Sequence, residues 1–230
     1  MPGVVKLCGM RTAEDALAAA AAGADFIGLV FAPSPRRVTL EQAVTICRAV
    51  RTVTQPPRIV GLFVDAPVEE MQQVAALLEL DAVQLHGNEP PEVVRALGWP
   101  VLKAVRVRAG ETVEAVRQRV APYFAGDPAP YAIVLDTYHP SVAGGTGQTF
   151  DWAVAAAIAR AFPVILAGGL RVENVAEAIE TVRPFGVDVS SGIEVAGRKD
   201  PELMRAFVAA ARAAFARAFD TVRTESGGTR

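Results

Sequence analysis

The chain has 230 residues, of which 51% are apolar and 21% charged, a composition that supports a substantial core and excludes disorder as the dominant state. The formal net charge is −2, with 23 basic and 25 acidic side chains, which argues against a general electrostatic role on nucleic acid or on a membrane surface. The two cysteines, Cys8 and Cys47, exclude a disulfide framework and a four-cysteine zinc site, and they predict a reducing compartment.

No segment of the sequence combines the length and the apolar character of a membrane span, because the run 16–24 is short and is followed by Asp25. The N-terminus also lacks the basic head, apolar stretch and cleavage site of a secretory signal. We therefore expect a cytoplasmic protein without membrane or nucleic-acid partners, as a monomer or a homodimer.

Short apolar runs alternate with longer amphipathic segments, and this alternation predicts eight strands, each followed by a helix. The first four predicted strand–helix units are 4–7 with 12–22, 26–31 with 39–52, 58–64 with 67–78, and 82–85 with 90–97. The next four are 101–105 with 111–119, 131–135 with 152–162, 164–166 with 172–181, and 187–189 with 201–219.

The predicted strands are apolar on both faces, as parallel strands covered by helices must be. Eight such units in one chain of this length predict an α/β fold, a single (β/α)8 barrel. An open, doubly wound sheet is the structural alternative, because alternation alone does not distinguish the two. We expect one catalytic domain at residues 1–219 and a flexible C-terminal tail at residues 220–230.

The ends of the predicted strands favour the barrel, because several change abruptly from apolar residues to glycines or reactive side chains. These ends are Cys8-Gly9, His86-Gly87, Asp136-Thr137, Gly168-Gly169 and Ser190-Ser191-Gly192. Barrel enzymes place their active sites at the C-terminal ends of the strands. This clustering is the strongest functional indication in the sequence.

Two glycine-containing loops predict a phosphate site. Gly168 and Gly169 follow the seventh strand, and Ser191 and Gly192 follow the eighth, which are the loops where barrels commonly hold a phosphate. Glycine lets backbone N–H groups approach an anion closely, although the same glycines could simply turn the chain. A third segment around Gly145 predicts a lid, a further phosphate contact or a flexible loop.

Two side chains are candidates for proton transfer. Cys8 ends the first strand and could act as a nucleophile or a general base, with an inert buried thiol as the alternative; Cys47 lies in a predicted helix and is interpreted as inert. Asp136 follows four apolar strand residues, where an unpaired carboxylate would be costly to bury. We therefore expect Asp136 to project into a site, with a capping or turn role as the alternative.

Polar residues near other strand ends are candidate ligand contacts. His86 and Asp188 are interpreted as substrate contacts or, alternatively, as internal polar groups with satisfied hydrogen bonds. The only other histidine is His139, and the histidine spacing predicts no metal site. Either Arg36 or Arg37 could grip a carboxylate with its two-pronged donor geometry, while the other would be solvated.

Several longer motifs match one known family. They are Lys6-Leu7-Cys8-Gly9, Ser34-Pro35-Arg36, Val83-Gln84-Leu85-His86-Gly87, Gly144-Gly145-Thr146-Gly147-Gln148-Thr149-Phe150-Asp151-Trp152, Leu166-Ala167-Gly168-Gly169-Leu170 and Val187-Asp188-Val189-Ser190-Ser191-Gly192-Ile193-Glu194. From about residue 4 to residue 207 the sequence resembles the phosphoribosylanthranilate isomerase family, which are (β/α)8 barrels of tryptophan biosynthesis.

The resemblance implies an Amadori rearrangement of N-(5'-phosphoribosyl)anthranilate without a cofactor or a metal. It implies that Asp136 is the general acid, that Cys8 is the general base and that Arg36 holds the anthranilate carboxylate; counting from Phe31 instead of matching the motif would select Arg37.

It also implies a phosphate site formed by Gly168, Gly169, Ser191 and Gly192, to which we add Gly145. The alternatives are another cofactor-free sugar-phosphate isomerase or epimerase, and a catalytically silent barrel that binds a phosphorylated ligand.

Overall fold

The structure is a computed structural model that describes residues 3–136 and 152–225, with side chains up to residue 218. Eight parallel strands close into a barrel in chain order, and β8 pairs with β1. The barrel prediction is thus confirmed, and the open-sheet alternative is wrong. The strands are β1 (Val4–Cys8), β2 (Phe26–Val30), β3 (Arg58–Phe63), β4 (Ala82–Leu85), β5 (Val101–Arg106), β6 (Ala132–Asp136), β7 (Val164–Ala167) and β8 (Gly186–Val189).

A helix follows each strand. The helices are α1 (Ala13–Ala21), α2 (Leu40–Val50), α3 (Val68–Leu78), α4 (Pro91–Leu97), α5 (Val113–Phe124), α6 (Trp152–Ala159), α7 (Val175–Val182) and α8 (Pro201–Glu225). Capping boxes start α1 at Thr12 and α2 at Thr39, where each threonine accepts a hydrogen bond from the third helical residue. Within residues 3–136 and 152–225, no helix is long and apolar enough to span a membrane.

The last helix extends beyond the end that its sequence pattern predicts. The pattern ends at residue 219, but the backbone of α8 is helical to Glu225. Flexibility of the C-terminal tail stays a prediction. Between β8 and α8 the chain forms a single 3-10 turn (Ser191–Ile193) and a short hairpin of β9 (Glu194–Val195) and β10 (Arg198–Lys199).

The barrel interior has an apolar end and a polar end. Because side chains alternate between the two faces of a strand, every second residue points into the barrel. Toward the N-terminal ends of the strands these residues form an apolar cluster that includes Phe26, Val60, Leu102 and Ile165. The polar side chains of the barrel interior lie closer to the C-terminal ends of the strands, where they include Lys6, Gln84 and Asp188.

Candidate active site

Cys8 lies at the end of β1 and is buried against Val30 and Leu62. Its register partner on β2 is Gly28, and a Cβ atom at Gly28 would lie 2.6 Å from the Cys8 Sγ atom. A thiol fits here only because the neighbouring strand carries no side chain at this position. The role of Gly28 could not be predicted from the sequence, because the sequence does not reveal which residues are paired across neighbouring strands.

Burial and neighbouring charges have opposing effects on the pKa of the Cys8 thiol. Burial raises its pKa, and the nearby Asp188 carboxylate acts in the same direction. The Lys6 ammonium opposes both effects through its charge but does not cancel them, so the pKa of the thiol stays above its ordinary value. Lys6 is fully buried, and its Nζ atom lies 2.8 Å from Asp188 Oδ2. Asp188, predicted as a substrate contact, is thus the ion-pair partner of the lysine beside Cys8.

Asp136 ends β6 and lies beside His86. Its Oδ2 atom is 3.5 Å from His86 Nε2, and both side chains are about one-fifth exposed, at 18% and 20%. The other ring nitrogen, Nδ1, lies 3.0 Å from the amide Nε2 of Gln84. Because an amide nitrogen donates, Nδ1 accepts and the ring proton resides on Nε2, facing Asp136. The structure therefore brings two predicted site residues together.

Arg36 makes a two-pronged ion pair that the sequence analysis did not predict. Its Nε and Nη2 atoms donate to the two carboxylate oxygens of Glu194, each at 2.7 Å. Lys199, the register partner of Glu194 in the hairpin, places Nζ 2.8 Å from Glu194 Oε1. Burial would raise the pKa of Glu194, but hydrogen bonds from the two cations lower it to about 2. Arg37, the alternative candidate, is exposed.

The two predicted phosphate loops adjoin each other. Gly168 and Gly169 have φ angles of 88° and 66°, in the left-handed region that favours glycine. Gly192, in the turn that begins at Ser191, packs so closely that a Cβ atom there would lie 1.9 Å from the carbonyl oxygen of Leu170. The loops after β7 and β8 therefore form one backbone-rich surface. Gly145, the third predicted contact, lies outside the described residues.

This arrangement can transfer protons and can hold an anion. Cys8 and Asp136 both belong to the inward-facing set at the C-terminal ends of the strands, and the glycine loops expose backbone at the same end. Among the residues that the structure describes, no group of three or more His, Cys, Asp or Glu side chains could hold a metal ion. Fold and site together define a (β/α)8-barrel enzyme equipped for acid–base chemistry.

Comparisons with known proteins identify the family. The model of the N-(5'-phosphoribosyl)anthranilate (PRA) isomerase family matches residues 5–210. The N-(5'-phosphoribosyl)anthranilate isomerase of Geobacter sulfurreducens is 48% identical over 214 residues, which cover 90% of this chain and 98% of that protein. The chain belongs to the PRA isomerase family, which confirms the family predicted from its motifs.

Solved structures support the same assignment. The crystal structure of the phosphoribosyl anthranilate isomerase from Thermotoga maritima has a TM-score of 0.79 at 38% identity, covering 92% of this chain and 99% of that one. A second structure of such an enzyme, in complex with reduced 1-(o-carboxyphenylamino)-1-deoxyribulose 5-phosphate, has a TM-score of 0.76 at 36% identity, with coverage of 92% and 99%.

A substitution at Gly28 tests its contact with Cys8. The Gly28→Ala change adds a methyl group 2.6 Å from Sγ, so we expect it to destabilise the fold by about 1–3 kcal/mol. In a Cys8→Ala background the same change should cost much less, because the sulfur atom is gone. Urea unfolding of the four proteins measures this coupling, and equal costs in both backgrounds would contradict it.

Acid unfolding tests the state of Glu194. Its folded pKa of about 2 lies below its ordinary value of 4.5, so the unfolded chain binds the proton first, and stability is lost as the pH falls from 4.5 toward 2. We expect Glu194→Gln to lower the melting temperature at pH 7 and to make its decline between pH 5 and pH 3 shallower. Glu70→Gln, at an exposed position on α3, is the control. A decline as steep as that of the wild type would refute the assignment.

Proposed function

We propose that this protein converts N-(5'-phosphoribosyl)anthranilate into 1-(2-carboxyphenylamino)-1-deoxyribulose 5-phosphate, an aldose–ketose isomerisation in tryptophan biosynthesis. The observation that carries this proposal is the pair of inward-facing proton-transfer groups, the Cys8 thiol and the Asp136 carboxyl, in a chain of the PRA isomerase family. The related structure in complex with the reduced ribulose 5-phosphate compound supports a small phosphorylated substrate.

In the first step Asp136 acts as the general acid. It gives its proton to the oxygen of the furanose ring while the bond from that oxygen to C1 breaks. The lone pair of the aniline nitrogen forms the C1=N bond, which leaves an open-chain protonated Schiff base. His86 supports this role by its position beside the carboxyl group, with its Nε2 atom 3.5 Å from Asp136 Oδ2.

In the second step Cys8 acts as the general base. The positive C1=N group acidifies the C–H bond at C2, so a thiolate is a sufficient base. Removal of that proton yields an enolamine, in which the electron pair of the C–H bond forms C1=C2 and the C1=N electrons return to nitrogen. The Cys8 thiol then gives its proton to C1, and the C2 hydroxyl gives its proton to the Asp136 carboxylate, which yields the ketone and restores both groups. Only protons are relocated, so the chemistry calls for no cofactor.

The remaining residues are proposed to hold the substrate. Backbone groups of Gly168, Gly169, Ser191 and Gly192 would bind the phosphate, as Gly145 would from outside the described residues. One edge of the Arg36 guanidinium pairs with Glu194, which leaves the Nη1 edge for the anthranilate carboxylate. Asp188 Oδ1 is buried and has no hydrogen-bond partner among the described residues, which makes it an available acceptor for a sugar hydroxyl. The cytoplasmic location and the monomeric or homodimeric state stay predictions.

Replacing either proton-transfer group tests the mechanism. We expect Cys8→Ala and Asp136→Asn each to lower kcat by at least about a hundredfold, which corresponds to an increase of about 3 kcal/mol in the activation free energy. The decrease in fluorescence of the anthranilate substrate measures the rate. Cys47→Ala is the matched control, because this other buried thiol lies in α2, and it should retain wild-type turnover. A variant at position 8 or 136 with most of the activity would exclude that residue from its role.

Separate alanine substitutions at the two arginines test the carboxylate contact. Arg36→Ala should raise KM strongly, because it removes the guanidinium that Glu194 holds at the site. Arg37→Ala should leave KM nearly unchanged, because its side chain is exposed. Steady-state kinetics of the two variants decide the matter, and equal small effects would remove Arg36 from the substrate contacts.

A further inference from the structure

The ion pair beside Cys8 is almost completely buried. Lys6 is inaccessible to solvent and the Asp188 side chain is 8% exposed, yet their Nζ and Oδ2 atoms lie 2.8 Å apart. The two residues are register partners across the pair of strands that closes the barrel. Burying two charges carries a desolvation cost that their attraction often fails to recover. A role beyond stability therefore becomes the natural explanation of the pair.

Lys6 is well placed to act on Cys8. The two residues are separated by one position on β1, so both side chains point into the barrel. The positive charge of the lysine lowers the pKa of the thiol and so opposes the effect of burial. From β2 and β3, by contrast, Cys8 packs against Gly28 and the apolar side chains of Val30 and Leu62.

The other charged groups around Cys8 either lower the pKa of the thiol less than Lys6 does or raise it. Asp188 on β8 raises the pKa of the thiol, and Lys199 on β10 lowers it less than Lys6 does. Arg36, in the loop after β2, also interacts with the thiol, but its guanidinium is already paired with Glu194. Glu194 neutralises Lys199 in the same way. Lys6 is the strongest cation acting on the buried sulfur.

We propose that Lys6 is a positioning residue that stabilises the Cys8 thiolate when it forms, and that Asp188 keeps Lys6 charged for this purpose. The proposal rests on the proposed role of Cys8 as the general base. A buried lysine without a partner tends to lose its proton. Burial is the largest effect on Lys6 and acts in that direction, but the Asp188 carboxylate and the Cys8 sulfur together raise the pKa of the lysine above its ordinary value. Lys6 itself exchanges no proton with the substrate.

Alkylation of Cys8 tests the proposal without any turnover. All proteins carry Cys47→Ala, so that Cys8 is the only thiol, and the rate of reaction with iodoacetamide is measured against pH. We expect Lys6→Met to move the midpoint of this profile upward by about one pH unit or more, because it removes the positive charge that stabilises the thiolate. The double variant Lys6→Met/Asp188→Asn, which leaves no unpaired buried charge, should also shift it upward.

A buried lysine elsewhere in the barrel supplies a matched control. Lys103 on β5 pairs with Glu89 at 2.8 Å, and both side chains are as buried as those of Lys6 and Asp188. Lys103→Met/Glu89→Gln therefore removes a comparable pair that does not act on Cys8, and it should leave the alkylation midpoint unchanged. Thermal melting of each variant identifies the folded proteins on which the comparison is made.

Turnover then separates this proposal from the function on which it rests. If Lys6 stabilises the thiolate, the pH profile of kcat/KM of Lys6→Met shifts upward together with its alkylation profile. We expect this variant to be about tenfold less active than the wild type at neutral pH and to recover its activity in more alkaline buffer. A folded double variant with the wild-type alkylation midpoint would overturn the proposal, as would an activity loss of equal size at every pH. An active Cys8→Ala enzyme would refute the base role of Cys8, whatever the alkylation profile shows.

Discussion

The closure of the barrel between β8 and β1 is the constraint on which the site depends. The register of these two strands sets Lys6 against Asp188, although the residues are 182 positions apart in the chain. The same closure lets Ser190 donate from Oγ to the carbonyl oxygen of Cys8 at 3.2 Å. A shift of one residue in this register would turn the inward side chains outward. The protonation environment of the thiol and the position of the second phosphate loop are therefore fixed together.

The division of the barrel interior explains why so many polar groups converge at one end. The apolar cluster around Phe26 and Leu102 fills the opposite end and keeps water from entering there. Each charge that the site requires must then be balanced locally, because the surroundings cannot solvate it. Lys6 with Asp188, and Arg36 with Glu194 and Lys199, are the resulting arrangements. Cys8 lies between these two networks, so its reactivity depends on both.

Much of the fold follows from local patterns in the sequence. Alternating apolar runs identified the eight strands, and threonines followed three positions later by Asp15 or Gln42 marked two helix starts. The reactive residues were found because they directly follow apolar strands. The partners of those residues were not predictable in the same way. Arg36 and Glu194 are 158 positions apart, and only the folded hairpin after β8 brings them together.

The contact between Gly192 and the Leu170 carbonyl has a consequence for the evolution and engineering of this barrel. The loops after β7 and β8 touch backbone to backbone, with no side chain between them to absorb a change in shape. A lengthened or bulkier loop on either strand would displace its neighbour as well. Redesign toward a substrate without a phosphate would thus require concerted remodelling of both loops, whereas the carboxylate end, built from separate side chains, could be altered one residue at a time.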